Sequence, residues 1–277
     1  RRLTMLKLCH INITSIRKYK DELLARFSDY DIISVNETNL EKNFPFALKG
    51  YNVYRNDREG KSGGGVLIAV KENIKCRETF NINIDKNEII AIEIETKSYG
   101  TILIASIYVP PLAKINPAIF RDLHRANSDC IVMGDLNAAL QLMGSRNTNT
   151  KGRQLLDIIN EGYLNCIDDD STTFERNQYE EKLDWVLASQ PLFTFISDFE
   201  VQPTLGMSSG HKPVTFTLPL EAENKPLSPR SSFNFKSANW NVFRLKLDEQ
   251  LKRWTNTSSS NTVDIEEYSS FITNSLN

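Results

Sequence analysis

The chain has 277 residues, 40% of them hydrophobic and 25% charged, with 14 phenylalanines and a formal net charge of -2. That profile excludes a disordered chain, and no apolar run nears the roughly 18 residues that a membrane-spanning helix requires. An isoelectric point near 6.0 neither favours nor excludes nucleic acid, because a local basic rim can grip phosphates on a neutral protein.

Residues 1–7 read as strand-like and lack the charged start, apolar core and small-residue cleavage site of a secretory signal; with no initiator methionine, the chain reads as a fragment. An apolar run at 3–13 predicts a first strand. Ile16, Tyr19, Leu23, Leu24 and Phe27 then fall on one helical face. Further apolar runs at 31–35 and 65–70 predict strands. Ile90, Ile92 and Ile94 alternate with Ala91, Glu93 and Glu95, the period of a strand with one buried face. Runs at 101–109 and 130–133 follow, then a helix carrying Leu155, Leu156, Ile158 and Ile159 that stops before Gly162, then runs at 183–188 and 213–218. Many strands with few helices predict an α+β sandwich. Beyond Leu220 the composition turns to Pro, Ser, Asn and Lys, which places a domain boundary near 220: a domain over 1–220 and a linker over 221–277. Inside that linker Trp240, Phe243, Leu247 and Leu251 recur at helical spacing and predict a short amphipathic helix. Cys9, Cys76, Cys130 and Cys166 show neither zinc nor redox spacing and read as small apolar fillers of a protein in a reducing compartment.

Polar residues recur at the ends of the predicted strands: Asn12, Glu37, Tyr108, Asp135 with Asn137, Asp184 and His211. Each alone also fits a surface charge or a core aromatic with a wet tip; six such strand ends point to a site. Met133-Gly134-Asp135-Leu136-Asn137 runs an apolar strand into a carboxylate and an amide two residues apart, which leave an extended chain in the same direction. Such a pair can end a strand as an Asx turn, or it can orient a water and donate to a phosphate oxygen. Glu37 offers a hard oxygen ligand and no His or Cys cluster suits zinc, so the expected metal is Mg²⁺ or Mn²⁺. His211, at a strand entrance, can stabilise charge on phosphate if a carboxylate such as Asp184 holds its other nitrogen.

At these residues the chain resembles the endonuclease/exonuclease/phosphatase superfamily, specifically the endonuclease of non-LTR retrotransposons of the LINE and jockey type, over residues 3–220. The carrying segments keep the family's order: His10-Ile11-Asn12-Ile13, Asn36-Glu37-Thr38, Ser106-Ile107-Tyr108-Val109-Pro110-Pro111, Gly134-Asp135-Leu136-Asn137, Thr173-Phe174, Leu183-Asp184-Trp185-Val186, and Ser209-Gly210-His211-Lys212-Pro213-Val214. The resemblance implies a four-layer α/β/β/α sandwich like that of apurinic/apyrimidinic endonucleases. It also implies Mg²⁺-dependent nicking of a DNA phosphodiester to prime reverse transcription. In its terms Asn12, Tyr108, Asp135, Asn137, Asp184 and His211 are catalytic, Glu37 binds the metal, and Arg58, Lys61, Arg146, Lys151, Arg153 and Thr173 face DNA. Implied partners are DNA and, through a downstream reverse transcriptase, the element's RNA, with no membrane and action in the nucleus. Two positions depart from the family: Thr14 replaces a second Asn or Asp, and Gly210 stands where the family has Asp. The missing carboxylate implies a weakened metal site that Gly210→Asp should restore. A dead copy that only binds nucleic acid, and an inositol or sphingolipid phosphoesterase, are the alternative functions.

Overall fold

The computed structural model describes residues 5–60, 62–167, 171–206, 209–225 and 239–257. Backbone contacts divide the chain into two compact units, Arg1–Pro226 and Leu227–Asn277.

The first unit is built on two six-stranded sheets. One contains β1 (Leu6–Asn12), β2 (Ile32–Asn36), β3 (Tyr51–Asn56), β4 (Val66–Lys71), β13 (Ser197–Val201) and β14 (Val214–Leu218), in the order β13-β14-β1-β2-β4-β3. The other contains β5 (Cys76–Ile84), β6 (Asn87–Glu95), β7 (Thr101–Tyr108), β8 (Cys130–Asp135), β9 (Leu164–Cys166) and β12 (Asp184–Ser189), in the order β5-β6-β7-β8-β12-β9. A small hairpin, β10 (Phe174–Arg176) and β11 (Tyr179–Glu181), stands apart. The helices are α1 (Ile16–Phe27), α2 (Pro117–Ala126), α3 (Thr150–Asn160) and the short α4 (Gln190–Phe193). The pair β1/β2 is parallel and so is β7/β8, each linked through a helix; the other pairings within the two sheets are antiparallel.

Strand periodicity sorts the core into three layers of side chains. Leu6, Leu8, Ile32, Ile68, Ile92, Ile104, Met133, Val186 and Phe216 meet between the sheets. Their alternates Cys9, Ile11, Ile33, Val35 and Leu67 pack outward against Ile16, Leu23 and Phe27 of α1. On the opposite side Ala91, Leu103, Ala105, Val132 and Leu187 pack outward against Ile119, Phe120 and Leu123 of α2 and Leu155 and Ile158 of α3. The result is the expected four-layer α/β/β/α sandwich. Its central strands are buried on both faces, which is why they read in the sequence as unbroken apolar runs. After β14 the chain crosses back, with isolated bridges from Ala222 to Thr96 and from Asn224 to Ile74.

Within the second unit the described residues form one helix, α5 (Trp240–Thr257), in which Trp240 and Phe243 pack edge to face. No helix among the described residues is long and apolar enough to cross a membrane.

Candidate active site

The inward rows of the central strands change character along their length. On β1 the row reads Leu6, Leu8, His10, Asn12; on β2 it reads Ile32, Ser34, Asn36; on β7 it reads Ile102, Ile104, Ser106, Tyr108; on β8 it reads Ile131, Met133, Asp135. On β12, antiparallel to β8, Asp184 lies opposite Asp135 and the row continues through Val186 and Ala188. Each row is therefore apolar at one end and polar at the other, and register places the polar ends together: Asn12 pairs with Asn36, and Asp184 with Asp135.

Asn12 Nδ2 donates to Glu37 Oε1 at 2.9 Å and to Asp135 Oδ2 at 2.8 Å. The Tyr108 hydroxyl donates to the same Glu37 oxygen at 2.7 Å. Asp135 Oδ1 accepts the backbone N–H of Asn137 at 2.8 Å, and Asn137 Nδ2 donates to the Val109 carbonyl at 3.1 Å, using one of the two N–H bonds of its amide. Asp184 Oδ2 pairs with His211 Nδ1 at 2.8 Å, while His211 Nε2 lies 3.7 Å from Asp135 Oδ2. The structure thus gathers Asn12, Glu37, Tyr108, Asp135, Asn137, Asp184 and His211 in one place.

Backbone conformation fixes this cluster. Thr14, Glu37 and Asn137 have φ of 61°, 52° and 49°; a left-handed conformation costs a residue with a side chain about 1–2 kcal/mol, strain of the kind that collects at functional sites. Thr14 returns something for it, because its N–H donates to Asn12 Oδ1 at 3.1 Å and sets the amide's orientation. Gly134 is required by close approach: a Cβ there would lie 1.8 Å from the Ile107 carbonyl oxygen.

The electrostatics follow from burial and neighbours. Burial, reinforced by the charge of Asp184, pushes the Asp135 carboxyl up to about 7 against the opposing pull of His211 and Asn12. Burial by itself would lower His211, but the Asp184 carboxylate outweighs it and raises the imidazole to about 9. Asp184 is held below the usual carboxylate range: burial opposes its charge, and the His211 charge together with bonds from two imidazoles overcomes that. Burial and the neighbouring Glu37 carboxylate push the Tyr108 hydroxyl up, so it is a donor at neutral pH.

One carboxylate oxygen each from Asp135 and Asp184 and one nitrogen of His211 lie within 4.8 Å of one another, a spacing that can hold a cation. Asp184, however, has its oxygens on two imidazoles, and His211 at about 9 is a cation itself at neutral pH. The partly exposed Glu37, joined to Asp135 through Asn12, fits a hard divalent ion better, since its donors are oxygens and no thiol is near.

The residues expected to face DNA separate into two groups. Arg146 and Arg153 are exposed, with Arg146 also lying over the Tyr179 ring. Arg58 pairs with the buried Glu88 and lies 5.6 Å from the Tyr108 ring, beside the cluster. Lys151 and Thr173 differ from the expectation. Lys151 is buried, with Nζ on the Pro110 and Pro111 carbonyls at 2.9 and 2.7 Å. Thr173 is 1% exposed, and its hydroxyl accepts the N–H groups of Leu183 and Asp184, holding the start of β12. Both are consumed by internal hydrogen bonds and do not reach a ligand surface. Lys61 lies outside the described residues.

Gly210 also departs from expectation. Its φ is +91°, its carbonyl accepts the Glu175 N–H at 2.8 Å, and a Cβ would lie 2.4 Å from the Glu175 carbonyl oxygen. The glycine is what lets the segment before His211 lie against β10.

Residues 102–215 match the family described as endonuclease-reverse transcriptase. Across 96% of its length the chain is 26% identical to the RNA-directed DNA polymerase from mobile element jockey of Drosophila melanogaster, of which it spans 29%. Among solved structures it is similar to the endonuclease domain of TRAS1, a telomere-specific non-LTR retrotransposon, at a TM-score of 0.65 and 21% identity, over 77% of this chain and 98% of that one. Over these residues the chain is similar to retrotransposon endonuclease-reverse transcriptases. The fold is also found beyond mobile elements: the AP endonuclease LMAP from Leishmania major superposes at a TM-score of 0.63 and 16% identity, over 80% of this chain and 88% of that one.

Proposed function

We propose that this retrotransposon endonuclease relative is a divalent-metal-dependent DNA endonuclease that nicks one strand by hydrolysis and leaves the 3′-hydroxyl from which reverse transcription starts. The observation that carries the reading is the convergence of Asp135, His211 and Glu37 at the polar ends of the inward rows, with the Asn137 amide beside Asp135. Asp135 takes a proton from water as the water oxygen forms its bond to phosphorus. The bond from phosphorus to the 3′ oxygen breaks, that oxygen takes a proton from solvent water to become the 3′-hydroxyl, and the phosphate stays on the 5′ side. His211, an imidazolium held by Asp184, and the second N–H of Asn137 stabilise the charge gathering on the phosphoryl oxygens. A Mg²⁺ or Mn²⁺ ion on Glu37 would supply Lewis-acid neutralisation of that charge. DNA is the substrate, the element's RNA is the template carried by a downstream polymerase segment, and the nucleus is the place of action.

Nicking of supercoiled plasmid with and without Mg²⁺ tests this. Chelation should abolish nicking, and Glu37→Gln should raise the Mg²⁺ concentration for half-maximal rate by about tenfold or more, since removing an anionic oxygen weakens a hard-cation site. Full activity in chelator, or an unchanged Mg²⁺ requirement in Glu37→Gln, would refute the assignment. Inositol phosphates serve as the competing substrate, and their hydrolysis in place of nicking would give the site to a phosphoesterase.

The pH dependence has a defined sign. Asp135 must be ionised, so the rate rises as pH passes its value of about 7. His211 must be protonated, so the rate falls as pH passes about 9. At saturating Mg²⁺, kcat should be highest between those two values; a maximum below pH 6 would show that Asp135 is not the base.

A further inference from the structure

His10 is wholly buried on the inward row of β1, where Leu6 and Leu8 precede it and an apolar side chain would continue the core. Its Nε2 lies 3.3 Å from Asp184 Oδ1, the oxygen that His211 leaves open, and its Nδ1 lies 2.9 Å from Ser34 Oγ. Ser34 Oγ donates to Ser106 Oγ at 2.8 Å, Ser106 Oγ accepts from Asn36 Nδ2 at 2.9 Å, and Asn36 Oδ1 accepts the Asp135 backbone N–H at 2.7 Å. An unbroken run of hydrogen bonds, whose side chains are all 0% exposed from His10 to Asn36, therefore joins Asp184 to the backbone of Asp135. Burying four polar side chains where hydrocarbon would pack is costly unless each finds a partner; here each has its partners within the run, which ends on two residues of the site.

We propose that His10 is a positioning residue for the cleavage reaction, fixing Asp184 at its second oxygen so that His211 stays aimed at Asp135. The proposal rests on the nuclease reading above. A carboxylate held at one oxygen can turn about its last side-chain bond. Held at both, by imidazoles from the β1 row and from the segment before β14, it cannot turn without breaking one contact. His211 Nε2 then keeps its place 3.7 Å from Asp135.

The test compares the full chain with His10→Phe, which fills the space without a donor, and His10→Gln, which returns an amide N–H close to the position of Nε2. Plasmid nicking is measured alongside the low-field ¹H NMR resonance of the His211 Nδ1–H, assigned by its loss in His211→Asn. His10→Phe should lower kcat about 10–100-fold, the usual cost of losing an orienting partner, with KM unchanged and the His211 resonance displaced. His10→Gln should recover most of the rate and bring the resonance back. A wild-type kcat in His10→Phe, or a glutamine variant as slow as the phenylalanine one, overturns the proposal. Where His10→Phe does not fold, His10→Gln decides: a His211 resonance at the wild-type position supports the proposal and a displaced one overturns it. The resonance needs no turnover, so a protein that fails to nick DNA removes the nuclease reading while the spectrum still judges the contact.

Discussion

Asp135→Asn and His211→Asn should each lower the nicking rate by about 10²-fold or more, the usual loss when a general base or a charge-stabilising group is removed. Stability should not fall in Asp135→Asn. Asp135 is 1% exposed and shares its surroundings with the Asp184 carboxylate, whose charge opposes its ionisation; an amide of the same outline removes a buried like-charge contact and keeps the acceptor for Asn12, which offsets the lost bond from the Asn137 N–H. A site that becomes more stable when its base is neutralised is under the tension expected of catalytic groups. Thermal unfolding of the purified variants beside the plasmid assay checks both halves. Unchanged nicking in either variant would remove it from the mechanism, and a collapse of Asp135→Asn on mild heating would show that the carboxylate is there for stability.

Gly210→Asp should have the second large effect, in the direction opposite to the one the resemblance implies. By that resemblance, a carboxylate at 210 restores a metal ligand. In this chain, however, the residue has φ of +91°, and a Cβ would meet the Glu175 carbonyl oxygen at 2.4 Å and the Arg176 Cβ at 3.2 Å. Left-handed backbone and a contact that backbone atoms must relieve together cost about 2–4 kcal/mol. The strand under pressure, β10, forms an isolated bridge from Phe174 to His211 and sets the Phe174 ring 5.0 Å from the imidazole. The substitution should therefore lower the melting temperature and the nicking rate and leave the Mg²⁺ requirement no better. A faster enzyme with a lower Mg²⁺ requirement would show that β10 yields easily and that the glycine is a lesion.

Much of this arrangement could be read from residue patterns alone, and the reason differs by element. The central strands were legible because both faces are buried: Ile32, Ile33 and Val35 on β2, or Ile102 to Ala105 on β7, leave no polar gap to confuse the period. The edge strand β5 was not, because Arg77, Glu78, Asn81 and Asn83 lie along it and most of it is exposed; neither were the three-residue strands β9, β10 and β11, too short to show a period. The helix α2 did carry a signal. Asn116 caps it by accepting the Ala118 N–H, Pro117 opens it, and Ile119, Phe120 and Leu123 form its face.

For the site, the residues that end strands were visible because a carboxylate or amide after an apolar run stands out. The residues beneath them were not. His10, Ser34 and Ser106 sit inside the strands, and Asn36 ends β2 beside the more conspicuous Glu37; a lone serine or histidine resembles an ordinary interruption, and only the facing sheet shows what these residues bond to. Conversely, Thr173 and Lys151 have residue types that suit a phosphate, and burial alone reveals that their polar atoms are already used.

The inward rows, apolar at one end and polar at the other, tie the proposed catalysis to the meeting of the two sheets. Asn12 and Glu37 belong to one sheet and its edge, Tyr108, Asp135 and Asp184 to the other, and the contacts between them span up to 123 residues of chain. Neither sheet carries a competent half-site. Such contacts form only after the entropy of closing the intervening chain has been overcome, so a chain whose sheets have not met holds Asn12 and Glu37 apart from Asp135. On the proposed nuclease reading, cutting of DNA is thereby confined to molecules whose two sheets have met.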